Sequence, residues 1–102
     1  MQITVSSRHH LALVDAVRQR AHLVLDRLGR IGDRALEGTA VFDVIAGRAW
    51  VELRLRLSGG TLVVATAEGA DHRSALDEVE EKVRRQVRRA NTRPLAHRHA
   101  VT

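Results

Sequence analysis

The chain has 102 residues, 44% hydrophobic and 28% charged, a size and balance that suit one soluble globular domain with a single modest core. It holds no cysteine, which excludes a disulfide scaffold and a thiolate metal site, and no apolar run approaches the roughly 20 residues of a membrane span. The formal charge of +5 is unevenly placed: residues 1–81 carry 10 Lys and Arg against 12 Asp and Glu, whereas residues 82–102 carry 7 Lys and Arg and no acid. A basic end of this kind points to nucleic acid or another anionic surface as the partner.

The chain opens on a strand. Gln2–Ser6 alternates polar and apolar residues and does not resemble a signal peptide, so a cytoplasmic protein is expected. From about Leu11 to Leu28, the residues Leu13, Val14, Val17, Ala21, Val24, Leu25 and Leu28 recur every three or four positions. They form one apolar helical face, which Gly29 and Gly32 are expected to end. A second strand is expected between Ala35 and Val44, punctuated by Gly47. The clearest strand runs from Trp50 to Ser58: Val51, Leu53, Leu55 and Leu57 share one face, and Trp50, Glu52, Arg54 and Arg56 the other. Gly59–Gly60 supplies the positive φ angles of a tight hairpin, and Thr61 to Ala67 returns as an antiparallel strand.

Gly69 ends that strand, and Asp71 or Ser74 is positioned to cap a final helix reaching about Ala90. Leu76, Val79, Val83, Val87 and Ala90 make its apolar stripe. Its early polar positions are acidic (Asp77, Glu78, Glu80, Glu81) and its late ones basic, as the helix dipole favours. Glu78–Lys82, Glu80–Arg84 and Glu81–Arg85 are spaced as i,i+4 ion pairs. The order is β-α-β-β-β-α, an α+β fold. Two amphipathic helices and one apolar sheet face predict both helices on that face, leaving Glu52, Arg54 and Arg56 on an open one.

The final helix is the strongest candidate site. At about 100° per residue, Lys82, Arg85 and Arg89 fall on one narrow outward stripe, with Arg84 and Arg88 beside it. Such a stripe reaches several phosphates along one groove, whereas a helix C-terminus needs only one or two cations. Gly29–Arg30–Ile31–Gly32 matches the GXXG loop of KH domains, but that loop joins two helices and here a strand follows, so a helix end and turn are expected. His9, His10, His22, His72, His97 and His99 are expected at the surface; neither His9–His10 nor His97-x-His99 has a carboxylate neighbour or third ligand at metal spacing. No nucleophile, phosphate-loop or zinc-hydrolase motif is present, so no catalysis and no cofactor is expected. One Trp, one Phe and no Tyr also argue against an aromatic base-stacking sheet, so RNA would be recognised through shape and phosphates.

The run Ala67-Glu68-Gly69-Ala70-Asp71, followed by Ala75-Leu76-Asp77 and then Lys82-Val83-Arg84-Arg85-Gln86-Val87-Arg88-Arg89, resembles a pattern of the ribosome hibernation promoting factors. That pattern is roughly A-E-G-x-D-x-Y-x-A-I-D, then K-L-x-R-Q-L-x-K. Met1–Val5, Asp15-Ala16-Val17-Arg18, Arg27-Leu28 and Ser58-Gly59-Gly60 fall at matching places, and the resemblance covers about residues 1–91.

The resemblance implies a fold like a double-stranded-RNA-binding domain with an added first strand. It also implies a translation inhibitor on the small ribosomal subunit and its rRNA, lying in the channel of mRNA and tRNA during stress or stationary phase. Lys82, Arg85 and Arg89 would face rRNA from the last helix and Arg27 from the first, with Arg84 and Arg88 adding charge. Val24 stands where the family usually has Lys, so a phosphate contact is expected to be lost and offset by Arg20 or His22. Arg73 replaces a Tyr, and Val14 replaces a capping Thr, so Asp15 is expected to cap instead. Residues 1–93 would be one ribosome-binding domain, monomeric when free, and 94–102 a short basic, disordered tail. The resemblance is to the short form, so pairing of ribosomes would need another factor. A general structured-RNA binder and a module for an acidic protein are the alternative readings.

Overall fold

The structure, a computed structural model, describes residues 1–31 and 35–101, with side chains described as far as residue 90. The elements follow the order β1 (Gln2–Ser7), α1 (Asp15–Ile31), β2 (Ala35–Ile45), β3 (Arg48–Leu57), β4 (Leu62–Gly69) and α2 (His72–Val101). The four strands form one sheet in the order β1-β2-β3-β4. β1 pairs parallel to β2, while β2, β3 and β4 are antiparallel neighbours. A parallel pair needs a crossover, which α1 supplies; antiparallel pairs need only tight turns.

The turns carry the chemistry expected of them. Ala46 and Gly47 both have positive φ (52° and 76°), and they join the paired residues Ile45 and Arg48. Gly59 and Gly60 have φ of 88° and 91°, and Leu57 N donates to Thr61 O at 2.8 Å across that turn. Positive φ is the geometry that matches the right-handed twist of paired strands.

One face of the sheet is apolar. Register aligns Val5, Ala40, Leu53 and Ala65 in one row, and Ile3, Gly38, Leu55 and Val63 in the next. Against these pack Ala21, Val24, Leu25 and Leu28 of α1, and Ala75, Leu76, Val79, Val83 and Val87 of α2. Each fully buried aliphatic side chain contributes roughly 1.5–3 kcal/mol. Gly38 leaves room for a side chain of the first helix: a Cβ there would stand 3.2 Å from Leu25 Cδ2. Gly29 does not end α1. It sits within the helix, where the missing side chain leaves room for Met1, whose Cε would lie 2.8 Å from a Cβ. Gly32 lies outside the described residues.

Four further expectations are corrected. α1 begins at Asp15, four residues later than its apolar pattern begins, because Leu11 and Leu13 reach the core from the preceding segment. Val14 holds the capping position, its carbonyl accepting from Arg18 N at 3.2 Å, so Asp15 contributes charge to the first turn and no cap. Val24, set by the family pattern at a surface position, is fully buried in the core. His9 does have a carboxylate neighbour: its Nδ1 lies 3.1 Å from Asp43 Oδ1, across 34 residues, because parallel pairing places Ser7 beside Phe42.

α2 also runs past its expected end near Ala90, its backbone continuing through Pro94 to Val101. Proline forfeits one hydrogen bond but keeps a helical φ, and Arg, Leu and Ala around it are good helix formers. The side chains of the expected tail at 94–102 lie outside the described residues.

At its start, α2 is capped by Asp71, whose Oδ1 accepts from Ser74 N at 2.7 Å. That amide, with the Ser74 side chain, holds the Asp71 carboxyl below the ordinary aspartate range. Asp43 is held low in the same sense by the His9 hydrogen bond and the Val44 amide, against a burial that pushes it up. Both carboxyls therefore stabilise the fold above their unfolded value of about 3.9 and lose that contribution as pH falls through their lower folded values. Denaturant titration is expected to show stability declining below about pH 4. Asp71→Ala is expected to lower the denaturation midpoint at pH 7 and to flatten that acid decline.

Candidate nucleic-acid interface

The two helices share the sheet's apolar face, so α2 has a different neighbour on each side. Its core side is the stripe Leu76, Val79, Val83 and Val87. Its α1 side carries Asp77, Glu80 and Arg84. Its opposite side lies over β4, the edge strand, where Lys82 Nζ donates to Thr66 O at 2.9 Å and Gln86 Nε2 to Val64 O at 3.2 Å.

On the α1 side the charges are matched. Arg27 makes a two-pronged contact with Glu80, Nε to Oε2 at 3.2 Å and Nη2 to Oε1 at 3.1 Å. Arg84 Nη2 donates to the same Glu80 Oε2 at 3.0 Å, and its Nε lies 3.8 Å from Glu81 Oε1. Arg20 Nη2 donates to Asp77 Oδ1 at 3.0 Å. Glu80 is only 6% exposed. A carboxylate that far from water needs charged donors, and two guanidiniums supply them.

On the β4 side the charges are not matched. Lys82, Arg85 and Arg89, with Gln86, line a shallow depression of about 220 Å³. Among the described residues none of these three cations has a carboxylate partner. The expected Glu80–Arg84 pair forms, but Glu78–Lys82 and Glu81–Arg85 do not; Lys82 turns to the β4 carbonyl instead. Arg85 and Arg89 are exposed, as is Arg88.

The seven expected RNA-binding residues are thus divided. Lys82, Arg85 and Arg89 come together on one flank. Arg20, Arg27 and Arg84 are tied into the seam between the helices, across the width of α2 from that flank. Gln86 is the residue that charge-based reading passed over, although it lies one turn beyond Lys82 on the same stripe.

The open sheet face is nearly neutral. Arg54 pairs with Glu52 at 2.8 Å, Arg56 with Glu37 at 3.4 Å and Arg48 with Glu68 at 3.6 Å. Arg8 lies over the Trp50 ring, 5.0 Å from its centroid. Among the described residues no three His, Asp or Glu side chains are placed to hold a metal ion, and no helix is long and apolar enough to cross a membrane.

The sequence pattern of the Sigma 54 modulation protein / S30EA ribosomal protein family matches residues 3–94. The chain belongs to this family. Its members are non-enzymatic binding factors, the ribosome hibernation family that the α2 motif resembles. Among solved structures, the N-terminal domain of Protein Y from Thermus thermophilus is 32% identical, with a TM-score of 0.75. The match covers 87% of this chain and 98% of that one. A ribosomal subunit interface protein from Coxiella burnetii is 21% identical with a TM-score of 0.75, covering 89% of this chain and 98% of that one, and shares the fold. No curated protein matches the chain.

The ion-pair seam separates cations that hold the fold from cations that do not. A double-mutant cycle with Arg27→Ala and Glu80→Ala, read by denaturant unfolding, is expected to give a coupling of roughly 1–3 kcal/mol. Arg85→Ala and Arg89→Ala are expected to change stability by no more than about 0.5 kcal/mol.

Proposed function

We propose that this protein is a translation inhibitor that binds the small ribosomal subunit through the Lys82–Arg85–Arg89 flank of α2 and occupies the channel of mRNA and tRNA. The observation that carries the reading is that Lys82, Arg85 and Arg89 lie together on one flank with no carboxylate partner among the described residues, whereas Arg20, Arg27 and Arg84 at the seam with α1 each have one. Membership of a ribosome-associated family supports the ribosome as the partner, rRNA as the surface and the cytoplasm as the place.

The mechanism is steric. A folded domain seated in the channel excludes tRNA and mRNA from the same space, so no bond is made or broken. Phosphate oxygens of rRNA displace counterions on binding to Lys82, Arg85 and Arg89, and that release drives affinity. Arg20, Arg27 and Arg84 act one step back: by clamping α1 to α2 they fix the angle at which the basic flank is presented. Arg88 adds positive potential near the flank. The unit that binds is residues 1–93, acting as a monomer.

Co-sedimentation with isolated small subunits tests this. Saturable binding near one copy per subunit is expected, lost on addition of tRNA and mRNA. Lys82→Gln/Arg85→Gln/Arg89→Gln, still folded by circular dichroism, is expected to lower the slope of log affinity against log salt by about 3, one for each phosphate contact removed. Binding that tRNA leaves untouched would point to a general structured-RNA binder. A salt slope unchanged in the triple variant would remove α2 from the interface.

A further inference from the structure

Gln86 is out of place among phosphate ligands. It is the one neutral side chain lining the depression with Lys82, Arg85 and Arg89, and the one that can accept a hydrogen bond. Its Nε2 donates to Val64 O at 3.2 Å, which sets the NH2 end of the amide toward the strand because a carbonyl can only accept. Its Oε1 then has no hydrogen-bond partner among the described residues and is not among their buried unpartnered polar atoms, so it stays open to solvent. A phosphodiester at pH 7 offers no donor to such an oxygen. The ribose 2′-hydroxyl, the donor nearest a phosphate along an RNA strand, does.

We propose that Gln86 is a specificity residue: its Oε1 accepts from a ribose 2′-hydroxyl beside the phosphate held by Lys82, Arg85 and Arg89, so that this flank selects RNA. The inference rests on the small-subunit reading above and adds the chemical group that is recognised. The Val64 carbonyl acts as the positioner, since it holds the amide with its oxygen outward before any ligand arrives. Three cations alone would accept any polyanion of suitable spacing; the fixed acceptor adds a requirement for a donor at a set place.

The test uses the full-length protein, isolated small subunits and a reagent that acylates 2′-hydroxyls. The wild type is expected to protect one or two 2′-hydroxyls in its footprint. Gln86→Met, which removes both amide groups, and Gln86→Lys, which keeps a donor for Val64 O but removes the acceptor, are each expected to restore reactivity at those nucleotides at saturating protein. The remaining footprint is expected to persist. Gln86→Met is also expected to bind about threefold to tenfold more weakly, the loss of one hydrogen bond. Arg85→Gln serves as the contrast: it weakens binding but leaves the same 2′-hydroxyls protected at saturation.

A footprint identical in wild type and both Gln86 variants would overturn the assignment. So would wild-type binding that leaves every 2′-hydroxyl reactive, the result expected if the flank docks on an acidic protein of the subunit. No wild-type binding at all would overturn the small-subunit reading first, and the role of Gln86 with it.

Discussion

A four-stranded sheet with one apolar face and two helices to cover it leaves each helix little choice of neighbours. α2 must turn its valine stripe down, one flank to α1 and the other to the edge strand. From that single constraint the sides taken by Arg84 and by Lys82, Arg85 and Arg89 follow by angle. Residues about 100° from the core stripe meet α1 and its arginines, so acids are needed there; residues on the other side meet only β4 backbone and solvent. Glu80 and Asp77 lie on the first side. Lys82, Arg85 and Arg89 lie on the second, where no carboxylate among the described residues pairs with them.

Charge in this chain therefore has two uses that composition cannot separate. The Arg27–Glu80–Arg84 group is nearly dry on the carboxylate and joins two helices by short hydrogen bonds, so its worth is mechanical. The basic flank is wet and unpaired, a poor contributor to stability and a good attractor of polyanions. Alanine substitutions at the two sets therefore report different things, because the seam joins α1 to the helix that carries the flank whereas the flank itself joins nothing to α1.

Much of this fold was legible from sequence because strong local signals agreed with each other. The alternation of Val51, Leu53, Leu55 and Leu57, the Gly59–Gly60 turn and the spacing of Leu76, Val79, Val83 and Val87 each specify an element without outside help. The α2 stripe was legible for the same reason: it depends on helical period alone. What sequence could not supply was the identity of the neighbour across a gap. The partners of Arg27 and Arg20 are of this kind: α2 brings Glu80 and Asp77 against them from more than 50 positions away. His9 gained Asp43 in the same way, through a parallel pairing that no local pattern encodes. Val24 is the opposite case: its burial was readable from the spacing of Ala21, Leu25 and Leu28, and only comparison with a family pattern suggested a surface role.

The contacts from α2 to the edge strand bear on the behaviour of the protein in crowded solution. An edge strand with open carbonyls is a template on which a strand of another molecule can hydrogen-bond, the first step toward aggregates. Here Thr66 O and Val64 O are already occupied by Lys82 and Gln86, and the bases along that border repel a second copy of the same chain. Lys82 and Gln86 thus keep β4 closed to foreign strands, and substitutions that strip them are expected to cost solubility.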